Sequence, residues 1–225
     1  VFWAFINPLL LALIIAFIFT EIIKVNIKHF YLFIISGMLP WFFFANSLQE
    51  ASTSIVSNVN LLKQFPLPRV FIPIASVLAN FFNLILGFLI ILPFFIIFNP
   101  KLIFMLPLLV IVLLLHLLFT LGIALFLSSV YVYFRDIGQF LGVLLLFWLW
   151  VTPVFYTIDM VPQKYRILFS LNPLTVYIAL YRGILFDMAL FNLKFILFAF
   201  LLSIISFCFG YAVFIKQEPY FLKRI

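Results

Sequence analysis

Long intervals without charge dominate the hydrophobic pattern of this chain. A helix that spans the ~30 Å hydrocarbon layer of a membrane needs roughly 20 apolar residues, because each residue adds about 1.5 Å. Six apolar stretches of suitable length recur along the sequence, separated by segments that contain most of the charged residues. They predict six membrane-spanning helices, at residues 1–23, 30–48, 70–98, 102–127, 140–157 and 195–215.

The composition agrees with this pattern, since 68% of the 225 residues are hydrophobic and only 8% are charged. The strict alternation of apolar and polar residues that marks a membrane-spanning strand does not occur. The predicted fold class is therefore an all-α integral membrane protein. Its net charge of +7 fits contact with anionic membrane lipids, and we expect no nucleic-acid partner.

The segment at residues 49–69 holds most of the small polar residues in the first half of the chain. Ile55, Val59 and Leu62 keep helical spacing within it. This pattern predicts a short amphipathic helix on the membrane surface, which ends at the prolines of the sequence QFPLPR.

The segment at residues 162–187 is too apolar for a solvated linker. It is also too interrupted for another crossing, because it contains Pro162, Pro173 and Gly183. We predict two short helices that dip into the membrane interface, near residues 162–171 and 174–187.

The distribution of basic residues bears on orientation. With six spans both termini lie on one side, which carries six basic residues against seven on the other. Four of those seven belong to the interrupted loop between the fifth and sixth spans, and setting them aside leaves six against three. The positive-inside rule then favours cytoplasmic termini.

The sequence lacks the usual signatures of energy conversion. No Gly-rich phosphate loop with a following Lys and Ser or Thr occurs, so we expect ATP hydrolysis on a separate subunit. The six acidic residues fall at predicted span ends or in loops, whereas an intramembrane enzyme or an ion-coupled carrier needs ionisable groups at bilayer depth. A passage powered by a partner is the interpretation we favour; a secondary carrier and a membrane-embedded glycan or lipid transferase are the alternatives.

Candidate metal ligands are few. His29 and His116 lie on different predicted elements, and Cys208 is the single cysteine. We therefore predict no metal site, no catalytic residue and no cofactor bound by this chain.

A charged turn, YVYFRDIGQF, separates the fourth and fifth spans. Arg135 and Asp136 either satisfy a tight turn or offer an ionic handle to a partner, and the sequence leaves both open. The polar segment after the second span offers a similar contact. Together these two regions supply the predicted coupling residues, namely Glu50, Ser54, Ser57, Asn58, Arg135 and Asp136.

Several longer stretches carry a family resemblance. The sequence YFRDIGQFLGVLLLFWLWVTPVFY, followed by VPQKYRILFSLNPLTVYIALYRGIL, resembles the permease subunits of bacterial polysaccharide-exporting ABC transporters, those for O-antigen, capsule and teichoic acid. FINPLL and SGMLPWFFFANSL extend the resemblance to the first two spans. The element from Phe65 to Arg69 departs from the family pattern by an extra proline.

The resemblance implies a type-2 ABC exporter architecture in the bacterial inner membrane. It implies a homodimer with two nucleotide-binding ATPase subunits that hold ATP and Mg²⁺, and an amphipathic helix ahead of the first span, which would precede Val1. The implied substrate is a glycan on a polyprenyl diphosphate lipid. The sequence does not distinguish O-antigen from capsule or teichoic acid.

Aromatic side chains suit such a substrate, because the apolar faces of sugar rings stack on them without a fixed register. The alternative is ordinary lipid contact or helix packing, since 21% of the residues are aromatic. The predicted passage residues are Trp41, Phe42, Phe44, Trp148, Trp150 and Tyr156.

Two further groups complete the predictions. Lys63 and Arg69 lie at the cytoplasmic mouth, where they either attract the diphosphate or anchor to lipid headgroups. The loop helices would form an outer gate, whose predicted residues are Tyr165, Arg166, Tyr181 and Arg182.

Overall fold

Helices make up the regular structure of the chain. The computed structural model describes residues 2–22, 24–25, 27, 29–64, 68–187 and 193–224, and within these ranges there is no strand, which confirms the all-α fold class. The first three residues of the predicted turn at 65–69 lie outside the described residues.

The α-helices are numbered in chain order. They are α1 (Phe2–Phe17), α2 (Phe30–Ser57), α3 (Val59–Gln64), α4 (Phe71–Phe98), α5 (Leu106–Tyr133), α6 (Ile137–Val151), α7 (Gln163–Leu171), α8 (Pro173–Arg182), α9 (Leu193–Gln217) and α10 (Phe221–Arg224). Short π-helical segments, Ile18–Ile22 and Gly183–Asp187, extend α1 and α8. Short 3-10 segments are Pro100–Met105, Ile158–Met160 and Glu218–Tyr220.

Four helices of the described chain are long and apolar enough to cross a membrane: α2, α4, α5 with its preceding 3-10 turn, and α9 with its following one. A fifth is obtained if α7 and the extended α8, which are bent by 94° at Asn172, count as one broken span. The shorter apolar helices are Leu10–Ile22 and α6. Six spans therefore stay a prediction.

The helix α2 does not end near residue 48 as expected; it continues to Ser57. The hydroxyl groups of Ser52, Thr53 and Ser54 donate to the carbonyl oxygen three residues earlier, at 2.8, 3.2 and 2.7 Å. These residues therefore satisfy their polar groups within the helix instead of breaking it. The separate surface helix is reduced to the six residues of α3.

The helix α6 ends at Val151, six residues before the expected end of the fifth span. The cause is Pro153, because a proline pushes the residue before it out of the helical region of the backbone. After this break, α7 and α8 occupy the segment in which two short helices were predicted.

Contacts divide the chain into two compact units. The first comprises Val1–Phe43, Asn83–Leu113 and Leu149–Leu197, and the second comprises Phe44–Phe82, Leu114–Trp148 and Phe198–Ile225.

Within the second unit α5 and α9 approach each other closely. The Ser206 hydroxyl donates to the Phe119 carbonyl oxygen at 2.8 Å, and the Ser203 hydroxyl oxygen lies 2.8 Å from the Leu115 carbonyl oxygen. One turn further along α9, the backbone of Gly210 lies against that of Gly122 on α5. Small residues that let two backbones meet, together with hydroxyl hydrogen bonds, are typical of helix association within membranes.

We predict that Gly210→Ala destabilises the protein. A Cβ atom at position 210 would overlap the carbonyl group of Gly122, and because this neighbour is backbone, the helices must separate. We expect a loss of about 1–3 kcal/mol, as for other overpacked cores, measured as a lower unfolding temperature of the detergent-purified protein.

Gly142→Ala on α6 is the matched control. The nearest side chain to a Cβ atom there is the Gln49 amide, whose Nε2 lies 3.9 Å away. Alanine favours a helix by up to about 1 kcal/mol over glycine, so this variant should melt at or slightly above the wild-type temperature. Equal melting of Gly210→Ala and wild type would contradict the close contact.

Candidate functional site

One cluster of buried apolar side chains joins several helix ends of the second unit. Its members are Ile55 of α2, Leu62 of α3, Leu125 and Val132 of α5, Phe214 of α9 and Phe221 of α10. Because one cluster holds residues next to both turns, the turn after α2 and the turn before α6 lie on the same side of the unit. We call the exposed residues 57–58, 60–61, 63–64 and 134–136 the loop surface.

Polar contacts join the turn at Arg69, just before α4, to the end of α9. The Arg69 amide donates to Glu218 Oε1 at 2.9 Å, and the Arg69 guanidinium donates to the Glu218 carbonyl oxygen. The Tyr133 hydroxyl donates to Gln217 Oε1 at 2.8 Å. Arg69 is thus already engaged in a structural contact, whereas Lys63 is exposed.

The turn at Arg135 and Asp136 is closed by its backbone. The amide of Gly138 donates to the Arg135 carbonyl oxygen at 3.2 Å, and those of Gln139 and Phe140 donate to the Asp136 carbonyl oxygen at 3.1 Å. Both charged side chains are exposed, and within the described chain neither makes a hydrogen bond or an ion pair. The turn therefore does not need these charges to fold, which favours the interpretation that they make ionic contacts with a partner subunit.

The other four predicted coupling residues divide into two pairs. Ser57 and Asn58 are exposed on the loop surface. Ser54 is buried, 4% exposed, with its hydroxyl donating to the Ala51 carbonyl oxygen. Glu50 lies inside α2, seven residues before its end, and not at a span end as expected. Neither Ser54 nor Glu50 is thus part of the loop surface, because α2 continues as a helix through both.

The second candidate site, in the first unit, lies at the break after α6. The Arg182 guanidinium, at the end of α8, is buried and only 7% exposed. Its Nη1 donates to the carbonyl oxygen of Pro153 and its Nη2 to that of Val154, both at 2.8 Å; Tyr156 O is a longer contact at 3.4 Å. The cation also lies 3.6 Å from the ring centroid of Phe33, a favourable cation–π arrangement.

Asn172, the residue between α7 and α8, completes the same junction. Its Nδ2 donates to Thr152 Oγ1 at 2.9 Å, and its Oδ1 accepts from the Leu174 amide at 3.1 Å, which caps α8. The Tyr156 hydroxyl donates to the Trp150 carbonyl oxygen of α6. Side chains thus satisfy backbone groups where α6 ends and α8 begins.

The glycine at position 37 makes room for this arrangement. A Cβ atom there would lie 3.2 Å from Arg182 Nη2, closer than nearly all side-chain contacts in proteins. The motif SGMLPWFFF therefore places a glycine on α2 where the guanidinium approaches.

The structure separates the four predicted gate residues into two kinds. Tyr181 and Arg182 are buried, and Tyr181 stacks on Phe88 with centroids 5.6 Å apart. They therefore do not reach headgroups or an emerging polymer as expected, because α8 turns back into the unit. Tyr165 and Arg166 lie at the surface of α7, where Arg166 approaches Asp159 at 3.9 Å.

The predicted passage aromatics also separate by burial. Trp41 and Phe44 are 3% and 0% exposed, and Phe44 packs against His116, Phe119 and Trp148 with centroids 5.3–6.2 Å apart. Buried side chains offer no surface to a polymer, so these two act in helix packing. A passage role stays a prediction for Phe42, Trp148, Trp150 and Tyr156, which keep exposed surface.

Ligands for a metal ion do not come together in the described part of the chain. No group of three His, Cys, Asp or Glu residues lies close enough to hold one. His116 is fully buried on α5, where its ring stacks on that of Phe44.

Comparison with known proteins gives a consistent picture. The family described as ABC-2 type transporter matches residues 1–186. The chain is 31% identical over 224 residues to an O-antigen export system permease protein RfbA of Klebsiella pneumoniae, which covers 98% of this chain and 85% of the relative. A second Klebsiella pneumoniae protein of that name is 30% identical, over 98% of this chain and 85% of the relative. The Myxococcus xanthus protein of that name is 25% identical, over 82% of this chain and 72% of the relative.

We predict that Arg182→Met strongly destabilises the fold. The carbonyl oxygens of Pro153 and Val154 would lose their donors, and each buried group left without a partner costs about 1–3 kcal/mol. Arg182→Lys should fall between methionine and wild type, because lysine keeps the charge but not the planar fork. The measurement is the unfolding temperature in detergent.

Arg166→Met serves as the control in the neighbouring helix. Arg166 also donates to carbonyl oxygens, those of Val161 at 2.9 Å and Asp159 at 2.8 Å, but its side chain is 38% exposed. Water can replace these bonds, and the exposed pair with Asp159 contributes about 0–1 kcal/mol, so the melting temperature should fall much less than for Arg182→Met. Similar melting of the Arg182→Met and Arg166→Met variants would show that the buried guanidinium does not hold the junction.

Proposed function

Since the chain belongs to the ABC-2 type transporter family, we propose that it is the permease of an ATP-driven exporter that moves an O-antigen-like polysaccharide across the bacterial inner membrane. The relatives named as O-antigen export permeases support the polysaccharide. In this proposal the glycan is carried on a polyprenyl diphosphate lipid, and the exposed Lys63 attracts the diphosphate at the cytoplasmic mouth.

The observation that carries the proposal is the loop surface. Two turns far apart in sequence lie on one side of the second unit, and they present charged side chains that the described chain leaves without partners. A soluble ATPase subunit can grip both turns at once only if they lie on the same side. The exposed Arg135 and Asp136 give it charges of both signs.

The proposed assembly places the ATPase subunits at the loop surface. We propose a homodimer with two ATPase subunits, which hold ATP and Mg²⁺, beneath a multi-pass membrane domain with cytoplasmic termini. The loop surface then faces the cytoplasm, and α7 and α8 lie towards the outer face. All residues of α7 are at least partly exposed while most of α8 is buried, as expected of an interfacial helix followed by a re-entrant one.

The proposal predicts that the tagged chain, purified from native membranes in mild detergent, retains an ATP-hydrolysing subunit. In membrane vesicles glycan export should stop without ATP and continue when a protonophore removes the ion gradient. A secondary carrier would give the reverse dependence, and a transferase would turn over as the purified chain alone. Either of these outcomes would overturn the assignment.

We predict that the double variant Arg135→Ala with Asp136→Ala folds normally but loses coupled export. The backbone closes the turn, so the unfolding temperature should stay within the range of ordinary surface changes, about ±0.5 kcal/mol. Retention of the ATPase subunit and export per ATP hydrolysed should both fall. Export and retention at wild-type levels would refute the coupling role.

The matched control removes a similar pair of opposite charges elsewhere, Asp159→Ala with Arg166→Ala. That pair lies beside α7, away from the loop surface in sequence and in the other unit. It should leave binding of the ATPase subunit unchanged.

A further inference from the structure

The exposed face of α2 differs from that of the other long helices. Between Phe30 and Ser57 the exposed residues are Asn46, Gln49, Glu50 and Ser57, and all are polar. Thr53, half-buried, lies on the same side, because positions separated by three, four and seven residues share one helix face. We call Asn46, Gln49, Glu50 and Thr53 the polar face of α2.

Within the same unit, the exposed positions along α4, and along α9 up to Ile215, are hydrophobic, as lipid contact requires. Leu78 and Phe82 on α4 are 46% and 60% exposed, and Ile205 and Phe209 on α9 are 64% and 57% exposed. Glu50 lies seven residues before the end of α2, where contact of a carboxylate with hydrocarbon is still unfavourable, although less so than the about 2.5–3.5 kcal/mol of a helix centre. The polar face therefore does not face hydrocarbon.

Glu50 is held in a defined orientation. Its Oε2 accepts from Asn80 Nδ2 at 2.6 Å, and the same amide donates to the Ser76 carbonyl oxygen at 3.1 Å. Asn80 is itself buried, 6% exposed. Within the described chain Glu50 Oε1 has no partner, so one carboxylate oxygen is fixed in place and open to a ligand.

The surroundings keep this face uncovered. Gly142 of α6 is the neighbour of Gln49, and the absence of a side chain there leaves the Gln49 amide open on that side. The polar face extends over the eight residues from Asn46 to Thr53, about 10 Å along the helix axis. It therefore presents amide, carboxylate and hydroxyl groups in one row.

We propose that the polar face of α2 lines the water-filled part of the passage and hydrogen-bonds the hydroxyl groups of the glycan in transit. This inference rests on the proposed function. Amide and carboxylate groups match the donors and acceptors of sugar hydroxyls. Each such bond contributes about 0.5–1.5 kcal/mol net, which is weak enough for a polymer to exchange partners and slide.

A second copy of the chain is a less suitable occupant of this face. In a two-fold contact whose axis passes through this face the patch meets itself, so both copies would bring a Glu50 carboxylate into the same desolvated contact. Like charges brought together cost several kcal/mol. The glycan and its water carry no such penalty.

Cysteine accessibility tests the passage directly. In a Cys208→Ser background, Gln49→Cys and Thr53→Cys are compared with Leu78→Cys, using a charged, membrane-impermeant methanethiosulfonate reagent. Because the reagent needs a hydrated thiolate, polar-face cysteines should react about tenfold faster or more than the lipid-facing control. Stalling a glycan in the exporter should protect them.

A second variant measures transport itself. Glu50→Leu removes the fixed acceptor, whereas Glu50→Gln keeps the shape and one acceptor oxygen and replaces the other oxygen with an NH2 donor, which can still bond a sugar hydroxyl. We expect Glu50→Leu to lower glycan export about five- to tenfold, equivalent to the loss of one hydrogen bond, with binding of the ATPase subunit unchanged. Glu50→Gln should retain more of the activity.

The outcomes separate this inference from the proposed function. If the wild-type chain exports no glycan with ATP, the proposed function is wrong, even when the polar-face cysteines react. If the wild type exports but Gln49→Cys and Thr53→Cys do not react, or Glu50→Leu exports normally, the passage assignment is wrong. Spontaneous cross-linking of Gln49→Cys between two copies would assign the face to a subunit interface instead, and would also overturn it.

Discussion

The structure depends on one constraint, which is that backbone carbonyl and amide groups without water must find partners inside the protein. The break after α6 frees several carbonyl groups in an apolar segment. Arg182 satisfies those of Pro153 and Val154, while Asn172 and the Tyr156 hydroxyl satisfy others. The guanidinium is suited to this position because it offers several donors in one rigid plane. Without it, a helix that stops and turns back at this place would leave buried polar groups unpaired.

The same constraint acts differently in the second unit, where the helices are not interrupted. Hydroxyl groups of Ser203 and Ser206 bond to carbonyl oxygens of α5, and glycines let the two backbones meet. In the described part of this unit, exposed polar side chains gather at two places in particular: the loop surface and the polar face of α2. Both places are exposed, so their polarity has to be explained by something outside the chain. The proposals above assign an ATPase subunit to the first and the glycan to the second.

The sequence predicts the helices well where they depend only on nearby residues, such as the length of an apolar stretch or the position of a proline. Charge-free stretches predict α2, α4, α5 and α9, and the prolines and glycine of residues 162–187 predict two short helices in place of a span. The prediction fails where contacts with distant residues determine whether a side chain is buried or exposed. Small polar residues after position 48 are compatible with a separate surface helix and also with the exposed face of a longer α2. The hydrogen bond from Asn80 to Glu50, which the sequence does not reveal, shows that Glu50 belongs to α2. An arginine at the end of a short helix is usually at a surface, so burial of Arg182 cannot be read from its spacing.

The passage aromatics illustrate the same limit. With 34 phenylalanines in 225 residues, an aromatic residue carries little information about its own surroundings, and Trp41 and Phe44 are in fact buried. A polar residue on a membrane helix carries more information, because its exposure to hydrocarbon is costly and each instance requires a partner. The physical basis for recognising a hydroxyl-rich polymer is therefore stronger for Gln49 and Glu50 than for any single aromatic residue. Stacking and hydrogen bonding are compatible within one passage, since sugar rings present apolar faces and polar edges at the same time.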